Sequence, residues 1–258
     1  MSVASGSRVL FEVREDVAYV TLNAPPLNIL SVEMMDEMSA ALERAQADRA
    51  IKALCLSAQG KAFSAGADVE EHRPEKVEGM IRSFGRLFRL LDALEIPCVM
   101  GVAGSALGGG FELALMADVL LAAEEAVFGQ PEIRLGFFAP IGLLRLPALV
   151  GPARAVEITA SGRSYSAAEM QAWGLVSRVV PAAELPGAME AVLKDFRRAS
   201  PLILRLNLRT LKRHRGRALA EALPEVERTF LDELMRTEDV REGLASFFEK
   251  RRPEWRNR

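Results

Sequence analysis

The stretch Cys98-Val99-Met100-Gly101-Val102-Ala103-Gly104-Ser105-Ala106-Leu107-Gly108-Gly109-Gly110-Phe111-Glu112-Leu113-Ala114-Leu115-Met116-Ala117-Asp118-Val119-Leu120-Leu121-Ala122 decides the fold class. Cys98 to Ala103 is an apolar run of strand length, Gly108 to Gly110 form a turn, Phe111 to Met116 predicts a helix, and Val119 to Ala122 predicts a second buried strand. Fully apolar strands separated by a helix and short links are the signature of parallel strands joined by helical crossovers, hence an α/β core.

The same order extends upstream. Arg8 to Val13 and Val17 to Leu22 are short β-rich runs separated by Arg14-Glu15-Asp16, which predicts a hairpin. Ser31 then caps a helix whose apolar positions Val32, Met35, Met38, Leu42 and Ala45 follow a three-to-four spacing. A buried strand at Ala53 to Ser57 leads through a loop to an amphipathic helix with the stripe Val77, Met80, Ile81, Phe84, Leu87, Phe88, Leu91 and Leu94, stopped by Pro97. Beyond roughly Pro181 the pattern turns almost wholly helical, in segments 184–197, 201–212, 219–235 and 240–250. The chain therefore divides into a core, 1–181, and a helical C-terminal region, 182–258.

Composition excludes several classes. The 258 residues are 50% hydrophobic and 26% charged, which is ordinary globular usage and not that of a disordered or disulfide-framework chain. With 33 basic against 35 acidic residues, no global charge pulls the protein toward nucleic acid or a membrane surface. Cys55 and Cys98 lie inside apolar runs and read as buried free thiols, and with only His72 and His214 beside them they supply no usual zinc site. Met1 to Arg8 has no apolar core behind a charged segment, and the longest uncharged stretch, Ile96 to Phe111, is too short and too glycine-broken to span a membrane. These features set the expectation of a soluble, cytoplasmic protein.

Three segments are candidates for chemistry. Gly104 to Leu115 lacks the lysine of a P-loop and the spacing of a dinucleotide fingerprint, but its three glycines leave unpaired N–H groups at the positive end of a helix. Such a terminus suits a developing oxyanion, with Glu112 on the same turn; tight packing with Glu112 merely complementing the dipole is the other reading. Lys61 to Asp68 is a small-residue loop after a buried strand, and it reads either as a near-match to a nucleophile elbow or as a second oxyanion donor. In Phe128-Gly129-Gln130-Pro131-Glu132-Ile133, the proline sets Glu132 either toward a cavity or on the surface.

Taken together, Phe63-Ser64-Ala65-Gly66-Ala67-Asp68, Ala106 to Ala114, Phe128 to Ile133 and Gly174 to Val180 resemble, in order and spacing, the enoyl-CoA hydratase/isomerase (crotonase) family along essentially the whole chain. That resemblance implies a spiral of ββα units, a C-terminal helical region used in forming homotrimers or dimers of trimers, and an acyl-CoA thioester substrate. Carried over residue by residue, it gives the oxyanion hole to the backbone N–H groups of Ala67 and Gly109 and the acid/base pair to Glu112 and Glu132. Ala65, Asp68 and Gly108 fall among the implied substrate-binding positions, and Lys250 matches a C-terminal lysine that approaches CoA, from this chain or a neighbouring one. No metal or redox cofactor is implied, since coenzyme A is part of the substrate.

Retention of both glutamates favours hydration, and argues against a protein that only binds CoA. The chain departs from linear enoyl-CoA hydratases after Glu132, where a glycine-rich stretch gives way to Gly136-Phe137-Phe138-Ala139-Pro140-Ile141-Gly142-Leu143-Leu144. Phe137, Phe138 and Ile141 are candidates for the wall of an acyl slot, with core packing as the alternative. Pro25 to Leu30, Ala67 to Val77 and Phe88 to Pro97 look most like the cyclohexa-1,5-diene-1-carbonyl-CoA hydratases of benzoyl-CoA breakdown within that family. This resemblance implies hydration of that ring to 6-hydroxycyclohex-1-ene-1-carbonyl-CoA; the rivals are a short-chain 2-enoyl-CoA hydratase and an enoyl-CoA isomerase. Finally, Arg205, Arg209, Lys212, Arg213, Arg215 and Arg217 form a basic stripe. It reads as a solvated face or subunit contact, with CoA phosphates as an alternative and RNA ranked low for want of interleaved aromatics.

Overall fold

The structure is a computed structural model that describes residues 6–258. Met1 to Ser5, part of the segment read above as lacking a leader, lie outside the described residues. The chain repeats a unit of long strand, short strand and helix. It opens with the hairpin β1 (Val9–Arg14) and β2 (Val17–Leu22), followed by α1 (Val32–Ala47). Next come β3 (Ala53–Ala58), β4 (Ala62–Ser64) and α2 (Val77–Ala93), then β5 (Cys98–Val102), β6 (Ser105–Leu107) and α3 (Gly109–Ala114). The last turn is β7 (Val119–Ala123) and β8 (Val127–Gly129), with α4 (Pro140–Val150), α5 (Pro152–Ser161), β9 (Ser164–Ser166) and α6 (Ala167–Ala172) inserted before β10 (Arg178–Val180). Four helices close the chain: α7 (Leu185–Arg197), α8 (Pro201–His214), α9 (Leu219–Asp232) and α10 (Glu238–Phe248).

The long strands β1, β2, β3, β5 and β7, with three-residue β10 at the edge, form one six-stranded sheet in the order β1-β2-β3-β5-β7-β10, parallel except for the β1/β2 hairpin. The short strands stack into a second sheet, β4-β6-β8-β9, in which only the β8/β9 pair is antiparallel. Parallel strands are covered on both faces, so alternate residues enter different cores. Leu54, Leu56, Met100, Leu120 and Ala122 face α1, α2 and the second sheet. Ala53, Cys55, Val99, Leu121 and Ala123 meet Leu185, Met189 and Leu193 of α7 on the opposite face. Cys98 lies on the first face and Cys55 on the second, so the sheet separates the two buried free thiols. By packing, α7 belongs to the sheet layer although it follows the last strand.

Several expectations need correction. The short strands β4, β6, β8 and β9 have three residues each, too few to show an alternation, and they were absent from the sequence reading. The helix expected from Phe111 begins at Gly109, because Gly109 and Gly110 themselves take helical conformation. The basic stripe is exposed at Arg209, Arg213, Arg215 and Arg217, as a solvated face would be, but Arg205 and Lys212 turn inward. Arg205 is 3% exposed, and its guanidinium donates to the carbonyl oxygens of Gln46 (3.2 Å), Asp48 (2.7 Å) and Ile51 (3.3 Å) around the C-terminal end of α1. Lys212 Nζ donates to the carbonyl oxygens of Leu91 (3.2 Å) and Leu94 (2.9 Å) at the end of α2. Both cations sit at the negative ends of helix dipoles and satisfy orphan carbonyls. Arg209, Arg213 and Arg217 pair with Glu233 and Glu225 of the chain's own α9 region.

Candidate active site

The loop Ala65–Asp68 is stitched to the segment after β2. Asn28, fully buried, donates from Nδ2 to the carbonyl oxygens of Gln59 and Ala62 (both 2.8 Å) and accepts from the Ala24 N–H at 2.9 Å. The N–H of Ala65 donates to Leu27 O, that of Leu30 to Gly66 O (both 2.9 Å), and that of Asp68 to Leu30 O at 3.4 Å. This pattern passes over the Ala67 N–H. Among the described residues neither it nor the Gly109 N–H, in the first turn of α3, has an acceptor. The two nitrogens converge: a Cβ on Gly109 would lie 3.2 Å from the Ala67 nitrogen, and one on Gly66 would lie 3.5 Å from the Gly109 nitrogen. Gly66 at φ +108° and Gly108 at φ +52° adopt the left-handed backbone that makes this approach possible.

Glu112, one turn into α3, is 3% exposed. Its Oε1 accepts from the N–H groups of Ile141 (2.6 Å) and Gly142 (3.1 Å) in the first turn of α4. Burial pushes its carboxyl up to about 7, opposed by those two donors and reinforced by the charge of Glu132. Glu132 stands in a short 3-10 turn, Pro131–Leu135, that follows β8, and burial raises its carboxyl as well. Fully buried Gln130 donates its amide N–H to Oε1 (2.5 Å) and Oε2 (3.3 Å) of Glu132, in the amide orientation that satisfies both groups. A Cβ on Gly108 would come within 3.3 Å of Glu132 Oε2, so this carboxylate lies directly beside the oxyanion turn.

Both glutamates and both free N–H groups open onto one cavity of about 530 Å³. Ala65, Ala67, Gly108, Gly109, Phe137 and Phe138 line it. Three expected residues do not. Ile141 packs against the core, because Pro140 starts α4 one residue earlier; its contribution is the backbone N–H on Glu112. Asp68 caps a 3-10 turn, Val69–His72, by accepting from the Glu70 N–H at 2.9 Å, and lines an adjacent cavity. Lys250 is exposed just beyond α10 and does not line the cavity of its own chain. The far wall comes from Val77, Met80, Ile81 and Phe84 of α2, whose stripe is thus shared between cavity and core. His72 also lines the cavity. Gln130 and His72 were not singled out from sequence; Gln130 precedes the proline of the Glu132 segment, which was the available signal.

A model of the enoyl-CoA hydratase/isomerase family matches residues 12–258. The chain belongs to that family. A probable enoyl-CoA hydratase of Mycobacterium tuberculosis is 38% identical over 253 residues, covering 97% of this chain and 98% of the relative. Cyclohexa-1,5-dienecarbonyl-CoA hydratase of Thauera aromatica is 36% identical over 259 residues, covering 100% of both. The crystal structure of enoyl-CoA hydratase from Bacillus anthracis superposes with a TM-score of 0.93 at 29% identity, covering 98% of this chain and 100% of that one. The family protein described here is an enzyme of the hydro-lyase type, and its cavity is consistent with an acyl-CoA thioester. Among the described residues no helix is long and apolar enough to cross a membrane.

Proposed function

We propose that this family member adds water across the conjugated double bonds of a cyclic dienoyl-CoA thioester, cyclohexa-1,5-diene-1-carbonyl-CoA. One observation carries the reading: two carboxylates with raised ionisations and two unpaired, converging N–H groups share a single cavity. The thioester oxygen accepts from the N–H groups of Ala67 and Gly109, which stabilise the negative charge that arrives there; one such donor is worth about 100- to 1000-fold in rate. Of the Glu112/Glu132 pair, one member takes a proton from water while the other supplies one. The water oxygen bonds to the ring carbon β to the thioester, and the displaced electron pair forms an extended dienolate. Protonation at the far end of that dienolate leaves 6-hydroxycyclohex-1-ene-1-carbonyl-CoA.

The adjacent cavity, about 850 Å³ and flanked by Arg8, meets the first at Ala65 and Ala67. In this reading the thioester lies at that junction, with the acyl group in one cavity and CoA extending into the other. Phe137 and Phe138 at the rim, and the full-length relative from Thauera aromatica, support a ring over a straight chain. The chemistry requires no metal or redox cofactor. A homotrimer or dimer of trimers belongs to the same reading, supported by Phe247 and Phe248 standing exposed at the end of α10. A cytoplasmic setting is supported by the two unpaired thiols.

The test is turnover of the purified protein with the cyclic diene and with crotonyl-CoA side by side, products identified by mass. Faster hydration of the ring is expected. Preference for crotonyl-CoA would make the protein a short-chain hydratase, and an acyl product of unchanged mass would make it an isomerase.

A further inference from the structure

We propose that His72 is a specificity-determining residue, which with Phe137 forms an aromatic bracket that selects flat acyl groups over flexible ones. The proposal rests on the acyl-thioester reading above but not on the identity of the reaction. The two rings come from different loops, with centroids 4.8 Å apart and planes tilted by 51°, and both line the cavity that holds Glu112 and Glu132. His72 Nδ1 lies 2.8 Å from the carbonyl oxygen of Asp68. A carbonyl only accepts, so Nδ1 carries the proton and donates it, which fixes tautomer and ring orientation. The Phe137 N–H donates to Glu132 O at 3.1 Å.

The His72 ring is thus tethered to the residue after Ala67, and the Phe137 backbone to the residue that carries the second carboxylate. Their contact joins the segment after the oxyanion loop to the segment after Glu132. Neither ring is needed to fill the core: Phe137 is 39% exposed and His72 is half-buried. Val77, Met80, Ile81 and Phe84 of α2 line the same cavity, so a planar acyl group meets the two rings together with apolar surface from α2. A flexible saturated chain gains less from that arrangement, because it makes no aromatic contact and loses more rotational freedom.

Binding of benzoyl-CoA and butyryl-CoA to the full-length protein, measured by calorimetry, tests this without turnover. The wild type is expected to prefer benzoyl-CoA. His72→Leu and Phe137→Leu are each expected to reduce the ratio of the two dissociation constants by about 3- to 10-fold, the scale of one aromatic contact. The double variant should lose little more than either single, because the pair acts as a unit. His72→Phe, which keeps a ring, should retain most of the preference. A wild type without preference, or a ratio that stays within about twofold in both leucine variants, overturns the bracket even where hydratase activity stands. Loss in His72→Phe equal to that in His72→Leu overturns the aromatic role. Failure of the wild type to bind either thioester overturns the bracket together with the acyl-thioester reading, whereas binding without hydration removes only the latter's chemistry.

Discussion

Glu112 is a carboxyl almost out of contact with water, kept in place by two main-chain N–H groups and raised to about 7 from an ordinary 4.5. Between those values the folded protein holds a proton that the unfolded chain has released. Its contribution to stability is therefore full below pH 4.5 and is lost as pH rises through 7, about 3 kcal/mol for a shift of this size. Denaturation at about pH 5 and pH 8 should show that loss, and Glu112→Gln should abolish most of the difference. Glu132→Gln and Glu112→Gln should each lower kcat by about 100- to 10,000-fold, with the double variant close to the worse single, since the two act on one proton transfer. Single-turnover kinetics on the cyclic diene measures it; independent, multiplying losses would show that the carboxylates do not act together. At this scale the sequence points to Ala67 and Gly109 only through the family resemblance, and the structure adds that both N–H groups lack an acceptor among the described residues. The sequence leaves both readings open where orientation decides: for Ile141, acyl wall and core packing stand side by side, because nothing local says that α4 starts at Pro140 and turns that side chain to the core.

Elements are joined here by contacts far apart in sequence. Arg205 on α8 closes the end of α1 and Lys212 closes the end of α2, so one helix seals two others. Arg205→Met leaves buried carbonyl oxygens without donors and should cost about 1–3 kcal/mol. Lys212→Met should cost a similar or smaller amount, and the two losses should add because they fall on different helices. Urea unfolding with an unchanged slope and a lowered midpoint is the expected result; a midpoint unmoved by Arg205→Met would make these contacts incidental. From sequence this helix looked like a charged face, since the carbonyl partners of Arg205 lie more than 150 residues away. The long strands and the helices α1, α2 and α7 to α10 were legible from periodicity and capping. The second sheet was not, because three residues carry no period, and α4 hides its type behind an almost wholly apolar composition and Pro147.

At the scale of the whole molecule, the C-terminal helices leave large apolar residues exposed: Phe230 and Leu231 on α9, and Leu244, Phe247 and Phe248 on α10. Surfaces of that kind are costly to leave wet. Sedimentation should report three or six chains per particle, and the paired change Phe247→Asp with Phe248→Asp should shift the population to smaller species; an unaltered distribution would place the contact elsewhere. The C-terminal region was recognisable as helical, but which of its faces leave the molecule depends on how α7 and α8 dock, and that emerges only in three dimensions.

The attachment of Glu112 to the amides of Ile141 and Gly142 has a consequence for how such an enzyme diversifies. An amide N–H is supplied by every residue except proline, so the hold on the carboxylate makes no use of the side chains of Phe137 and Phe138. Phe137 and Phe138 can be exchanged for smaller or larger groups while the hold persists. Reaction chemistry and substrate range are inscribed on one short segment in two separate alphabets, backbone for the first and side chains for the second, and a lineage can rewrite one while copying the other unchanged.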